Sequence, residues 1–156
     1  KTELKGVEFN LVGGTLAGKE ELKTELIDEI RKHDLIDFVN LKGFTADISG
    51  ELSKADVCLV PSLMKDPFPT TVLEAMSAGK TIIASDTGGA KEAIVHNETG
   101  FIIPANSPVI FAETIRMLIR ERAVIKQIGL KAEISYQQNF TISHFNARWV
   151  SATDAA

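Results

Sequence analysis

Apolar residues along the chain gather in short runs rich in valine, isoleucine and phenylalanine. The runs are "VEFNLVG" (7–13), "FVNLKG" (38–43), "VCLVP" (57–61), "TIIAS" (81–85) and "GFIIP" (100–104). Their length and β-branched content predict strands. Between them lie segments of helical period: "KEELKTELIDEIRKH", "ISGELSKA", "TVLEAMSA" and "AKEAIV". Strand and helix alternate at spacings of about 20 residues, which predicts parallel βαβ units with right-handed crossovers. The fold class expected is therefore α/β, a doubly wound parallel sheet. After Pro104 the alternation stops. Residues 108–150 read as helices with a break at "NFTISHF", and the end trails off in "SATDAA", so the last segment is expected to stand apart from the core.

Composition narrows the function classes without naming one. A chain of 156 residues fits one domain with a single core. Its 44% hydrophobic and 24% charged residues are ordinary for a globular protein, and a net charge of −4 offers no footprint for nucleic acid. Cys58, the one cysteine, sits in the apolar run "DVCLV" and reads as a small buried hydrophobe; no disulfide framework is possible. No apolar run reaches spanning length and no basic, then apolar, leader opens the chain, so a cytoplasmic location is expected.

In an open parallel sheet, ligands sit at the carboxyl ends of the strands. Four loops follow strands: "GGTLAGKE", "KGFTAD", "PSLMKDPFPTT" and "SDTGGAKE". The first, Gly13 to Lys19, has the G-x-x-x-x-G-K spacing of a phosphate-cradling loop, but Glu20 stands where a magnesium-binding hydroxyl belongs and would repel phosphate. It reads as a glycine turn. In the third, Thr71 and Glu74 fit a capping box, and Asp66 alone would be a turn residue. Together they suggest more. Pro67 and Pro69 fix two φ angles and lower the entropy lost when a ligand is gripped. Thr70 and Thr71 can present N–H groups to a phosphate at a helix start. Carboxylates on either side could accept hydroxyl hydrogen bonds from a ribose and from a sugar. The "TGG" of residues 87–89 reads equally as functional or as a plain turn into the next helix.

The stretch "DPFPTTVLEAMSAGKTIIASDTGGAKEAIVHNETGFIIPANSP", with "FVNLKGF" and "ADVCLVPS" before it, closely resembles the C-terminal domain of retaining GT-B glycosyltransferases of the family 4 kind (glycosyl transferases group 1). Their pattern is two acids separated by seven residues. The resemblance runs from about residue 7 to about 150 and implies a Rossmann-like C-terminal half of a GT-B fold. It implies that Glu74 binds the ribose hydroxyls and that Asp66, a shorter acid than the usual glutamate, contacts the transferred sugar. The backbone of Phe68, Pro69, Thr70 and Thr71 would face the sugar and diphosphate, and Gly43 and Phe44 would border the base. Pro69 stands where the family often has glycine, which removes one possible N–H to the sugar.

The same resemblance implies a UDP- or GDP-sugar as donor, no cofactor and no metal. A carbohydrate or lipid-linked acceptor would be held by an N-terminal domain absent from these 156 residues, and the full-length protein could touch a membrane peripherally. An earlier strand, with an arginine and a lysine that neutralise the diphosphate, is also expected outside them; Lys1 and Lys5 lie too near the start to take that role. Alone, the segment would bind donor weakly and transfer nothing. Other classes make different demands. A P-loop nucleotidase would need magnesium, an epimerase-like domain would act without an acceptor, and a non-catalytic module would bind no nucleotide. His33, His96 and His144 show no metal-ligand spacing and read as surface groups. The triplets at Asn97 and Asn139 that match a glycosylation acceptor are discounted, there being no leader. The stripe Phe140, Phe145 and Trp149 reads as packing rather than membrane contact, part of it exposed without the other domain.

Overall fold

The computed structural model describes residues 4–15 and 17–154, so Lys1, Leu16 of the first glycine loop and the last two residues lie outside it. The chain forms two compact units, Lys1–Glu51 and Leu52–Ala156.

In the first unit β1 (Phe9–Val12) runs into α1 (Glu20–Lys32), then β2 (Val39–Gly43) and the start of α2 (Ile48–Lys54). β1 and β2 pair in parallel with Phe9 opposite Val39 and Leu11 opposite Leu41; the register shifts before Val12 meets Gly43. A side-chain hydrogen bond of 3.2 Å from Asn40 to Asn10 ties the pair. Glu20 and Glu21 open α1 while Arg31 and Lys32 close it, each suited to the dipole at its end. One helix over two strands encloses little, and Ile30 is the buried hydrophobe of this unit among the described residues.

The second unit holds β3 (Val57–Val60), α3 (Thr70–Ser77), β4 (Thr81–Ser85), α4 (Ala90–Ala93) and β5 (Phe101–Ile103), followed by α5 (Pro108–Arg120), α6 (Arg122–Asn139) and α7 (Ile142–Asp154). The strands are parallel in the order β3-β4-β5, so the described residues form two parallel sheets, one in each unit. β4, the central strand, is buried at every position. Successive side chains on a strand face opposite ways, and the core divides accordingly. Ile82 and Ala84 pack with Val72, Ala75, Met76, Ala90, Ala93 and Ala132, while Ile83 packs with Phe101, Ile103, Leu118 and Ile128. Helices thus cover both faces, as expected of a doubly wound α/β fold.

α6 reaches the sheet at Gly129, where a Cβ would overlap the Gly79 carbonyl oxygen. The hydroxyl of buried Thr81 donates to the Ile125 carbonyl at 2.6 Å, which satisfies a polar group in the core. At the expected break, Phe140 caps α6 by donating its N–H to the Tyr136 carbonyl. Thr141 then starts α7, its hydroxyl 2.7 Å from His144 Nδ1. The aromatic stripe divides here. Phe140 packs on Phe68, while Phe145 and Trp149 stack on each other and stand 60% and 64% exposed.

Candidate functional site

The loop between β3 and α3 leaves the sheet at the carboxyl end of β3 and enters α3 through Pro69, whose φ of −67° and ψ of 116° set an extended approach. Pro69 is the N-cap, and no side chain caps the helix. The capping box read from Thr71 and Glu74 is therefore not formed: the helix begins one residue earlier, at Thr70, which places Thr71 inside it. Glu74 falls one turn below Thr70 on the same face. It is exposed, and its carboxylate has no hydrogen bond or ion pair among the described residues. The N–H groups of Thr70 and Thr71, at the open first turn, also have no partner among them.

Asp66 and Phe68 are engaged differently. Asp66 Oδ1 accepts the Phe68 N–H at 3.0 Å and the Asp66 carbonyl accepts the Gly89 N–H at 2.9 Å, so this residue shapes its own loop. Its Oδ2 remains without a partner among the described residues. The Phe68 ring turns inward, 6.0 Å from the Phe140 ring, against the cluster around Val72. With the Phe68 N–H taken and Pro69 lacking one, the free donors of the stretch are Thr70 and Thr71.

Glu74 also reaches the sheet electrostatically. Burial first, and the Glu74 charge second, push the Cys58 thiol on β3 up to about 11. A thiol held protonated is a poor nucleophile, in keeping with a packing role.

Gly43 and Phe44 belong to the first unit. Gly43 ends β2 at a φ of +73°, where glycine is favoured, and its carbonyl accepts the Gly13 N–H at 2.9 Å; Phe44 is 83% exposed. In the first glycine loop the Glu20 carboxylate folds back onto the Gly18 N–H at 3.2 Å, occupying an amide that a phosphate would need. The histidines are each engaged locally. His33 pairs with Glu29, His96 Nδ1 accepts the Ile102 N–H, and His144 meets Thr141. Among the described residues no three histidine, cysteine or acidic side chains cluster as metal ligands, and no helix is long and apolar enough to cross a membrane.

The sequence profile of the family described as "Glycosyl transferases group 1" matches residues 5–134. The chain belongs to that family. Of its relatives, the amylovoran biosynthesis glycosyltransferase AmsK of Erwinia amylovora is 29% identical over 133 residues, which cover 81% of this chain and 33% of AmsK. A trehalose synthase of Pyrococcus horikoshii is 30% identical over 155 residues, 96% of this chain and 37% of that enzyme. Among solved structures, Anabaena HepE in complex with UDP matches 96% of this chain and 41% of its own, with a TM-score of 0.91 and 27% identity. HepE in complex with UDP-glucose matches with a TM-score of 0.89 and 26% identity, over 99% of this chain and 44% of its own. The chain thus spans well under half the length of these relatives. The family match takes in the whole acid loop and ends within α6, leaving α7 beyond it.

Proposed function

We propose that this chain is the donor-binding, C-terminal domain of a retaining GT-B glycosyltransferase of the family 4 kind, acting in polysaccharide or glycoconjugate synthesis. One observation carries the reading: an exposed, unpartnered Glu74 carboxylate lies one turn below the open N–H groups of Thr70 and Thr71, just past the carboxyl end of a parallel strand. In that arrangement the N–H groups hold the diphosphate and take up charge as it leaves, and Glu74 accepts the ribose hydroxyls. Asp66 offers Oδ2 to a hydroxyl of the transferred sugar. The domain works by positioning, with the acceptor brought by the remainder of the enzyme and the anomeric configuration kept. HepE, solved with UDP and with UDP-glucose, supports a nucleoside-diphosphate sugar as donor.

Calorimetric titration of the intact protein with UDP, GDP and ADP tests the reading and identifies the base: one of the three binds. Binding of none contradicts a nucleotide-sugar site and favours a non-catalytic module. The stereochemistry is read separately, from the anomeric proton of the product by NMR.

A further inference from the structure

The turn Thr87–Gly89, between the end of β4 and the start of α4, has no part in the chemistry above, yet it lies flush against the acid loop. A Cβ on Gly88 would overlap the Asp66 carbonyl oxygen and stand 2.8 Å from the Asp66 nitrogen. One on Gly89 would overlap the Pro67 carbonyl oxygen and stand 3.0 Å from Cδ2 of Phe68. Gly88 has a φ of +62°, which favours glycine for its own sake. Gly89 does not: its φ of −84° and ψ of −1° suit any residue, so the close approach of the loop is what excludes a side chain. Gly13, Gly18 and Gly43 present the opposite case, each at positive φ with open space where a Cβ would go.

Four hydrogen bonds lace the turn and the preceding Asp86 to their neighbours. The Thr87 hydroxyl donates to the Ser62 carbonyl at 3.1 Å, at the start of the acid loop. The Gly89 N–H donates to the Asp66 carbonyl at 2.9 Å. Below them, Asp86 donates its N–H to the Ile103 carbonyl and accepts the Ala105 N–H on Oδ1, each at 2.8 Å, rooting the turn on β5. We propose that Thr87, Gly88 and Gly89 are positioning residues: they form a mould, anchored in the sheet, that sets the backbone of Asp66–Phe68 and with it the place of the Asp66 carboxylate. The loop's shape follows from the mould alone; its consequence for sugar binding rests on the donor-site reading above.

The test is hydrogen exchange by mass spectrometry on the intact protein, comparing the peptide that spans residues 62–72 with the one that spans β4. Gly89→Ala should raise exchange in residues 62–72 about tenfold and leave β4 at its wild-type rate. Thr87→Val, which removes a hydroxyl without adding bulk, should act the same way by about fivefold, and Thr87→Ser should restore protection. Unchanged exchange in residues 62–72 overturns the mould, as does an equal rise in β4, which would mean general destabilisation. In parallel, Thr87→Val should weaken UDP-glucose more than UDP by about tenfold, because the misplaced carboxylate contacts the sugar. Equal losses for both ligands overturn the link to sugar placement. If the wild-type protein binds neither ligand, the donor reading fails, while the exchange result still decides the mould.

Discussion

Asp66 holds its loop through Oδ1 and its carbonyl, whereas the Glu74 carboxylate holds nothing of the fold among the described residues, and this difference separates what removal of the two side chains does. Asp66→Asn keeps an oxygen acceptor for the Phe68 N–H but loses the charge. UDP affinity should therefore stay within about twofold while UDP-glucose affinity falls about tenfold, measured by calorimetry. Cys58 provides a second test at this scale. Its thiol is raised from 9.0 to about 11, so the native state keeps its proton where the unfolded state has lost it. The stability this contributes is complete below the unfolded value and is lost as pH rises from 9.0 towards about 11. Relative to Cys58→Ala, the wild-type protein should lose about 2–3 kcal/mol over that interval and nothing below about pH 8, by chemical denaturation at stepped pH.

At the scale of elements, α6 is pressed against the end of α3 and the start of β4 by a contact that admits no side chain. Gly129→Ala should cost about 1–3 kcal/mol, whereas Leu130→Ala, at a neighbouring exposed position, should stay within about 0.5 kcal/mol. How legible each element is in sequence follows how it is buried. β4 was expected over 81–85 and forms over that span, because helices cover both its faces and the apolar run coincides with the ladder. β1, expected over 7–13, forms at Phe9–Val12, its apolar residues partly exposed and its ladder set by β2. α4, expected to reach Val95, stops at Ala93 because Ile94 turns extended, φ −102° and ψ 122°, and buries its side chain in the core. The acid loop was legible because its two acids and two prolines are local in sequence. The start of α3 departs from the capping-box expectation at Thr71 because the extended Pro69 governs the entry and the helix begins at Thr70. The hold of Thr87–Gly89 on Asp66 could not be read at all, since it depends on residues some 20 positions apart meeting in space.

At the scale of the whole molecule, the division into two compact units was not legible from length and composition, which suited one domain. Both units have the expected parallel βαβ path, but their cores differ greatly in depth. α7 has no buried residue among those described, and its stripe of Ile142, Phe145, Trp149 and Val150 is exposed. Trp149→Ser should therefore change unfolding free energy by no more than about 0.5 kcal/mol in denaturant titration. The unit carrying Asp66 and Glu74 is the deeply packed one, which suits the donor-holding role proposed for it.

The grip proposed for Glu74 on the nucleotide is tested by calorimetric titration of UDP into the wild-type protein and Glu74→Ala, with melting temperature measured alongside. If Glu74 accepts the ribose hydroxyls, Glu74→Ala should lose about 1.5–3 kcal/mol in binding, the worth of hydrogen bonds to a charged group, with melting essentially unchanged because Glu74 caps no helix. Unchanged affinity with a lowered melting temperature would contradict it and return Glu74 to a purely structural role.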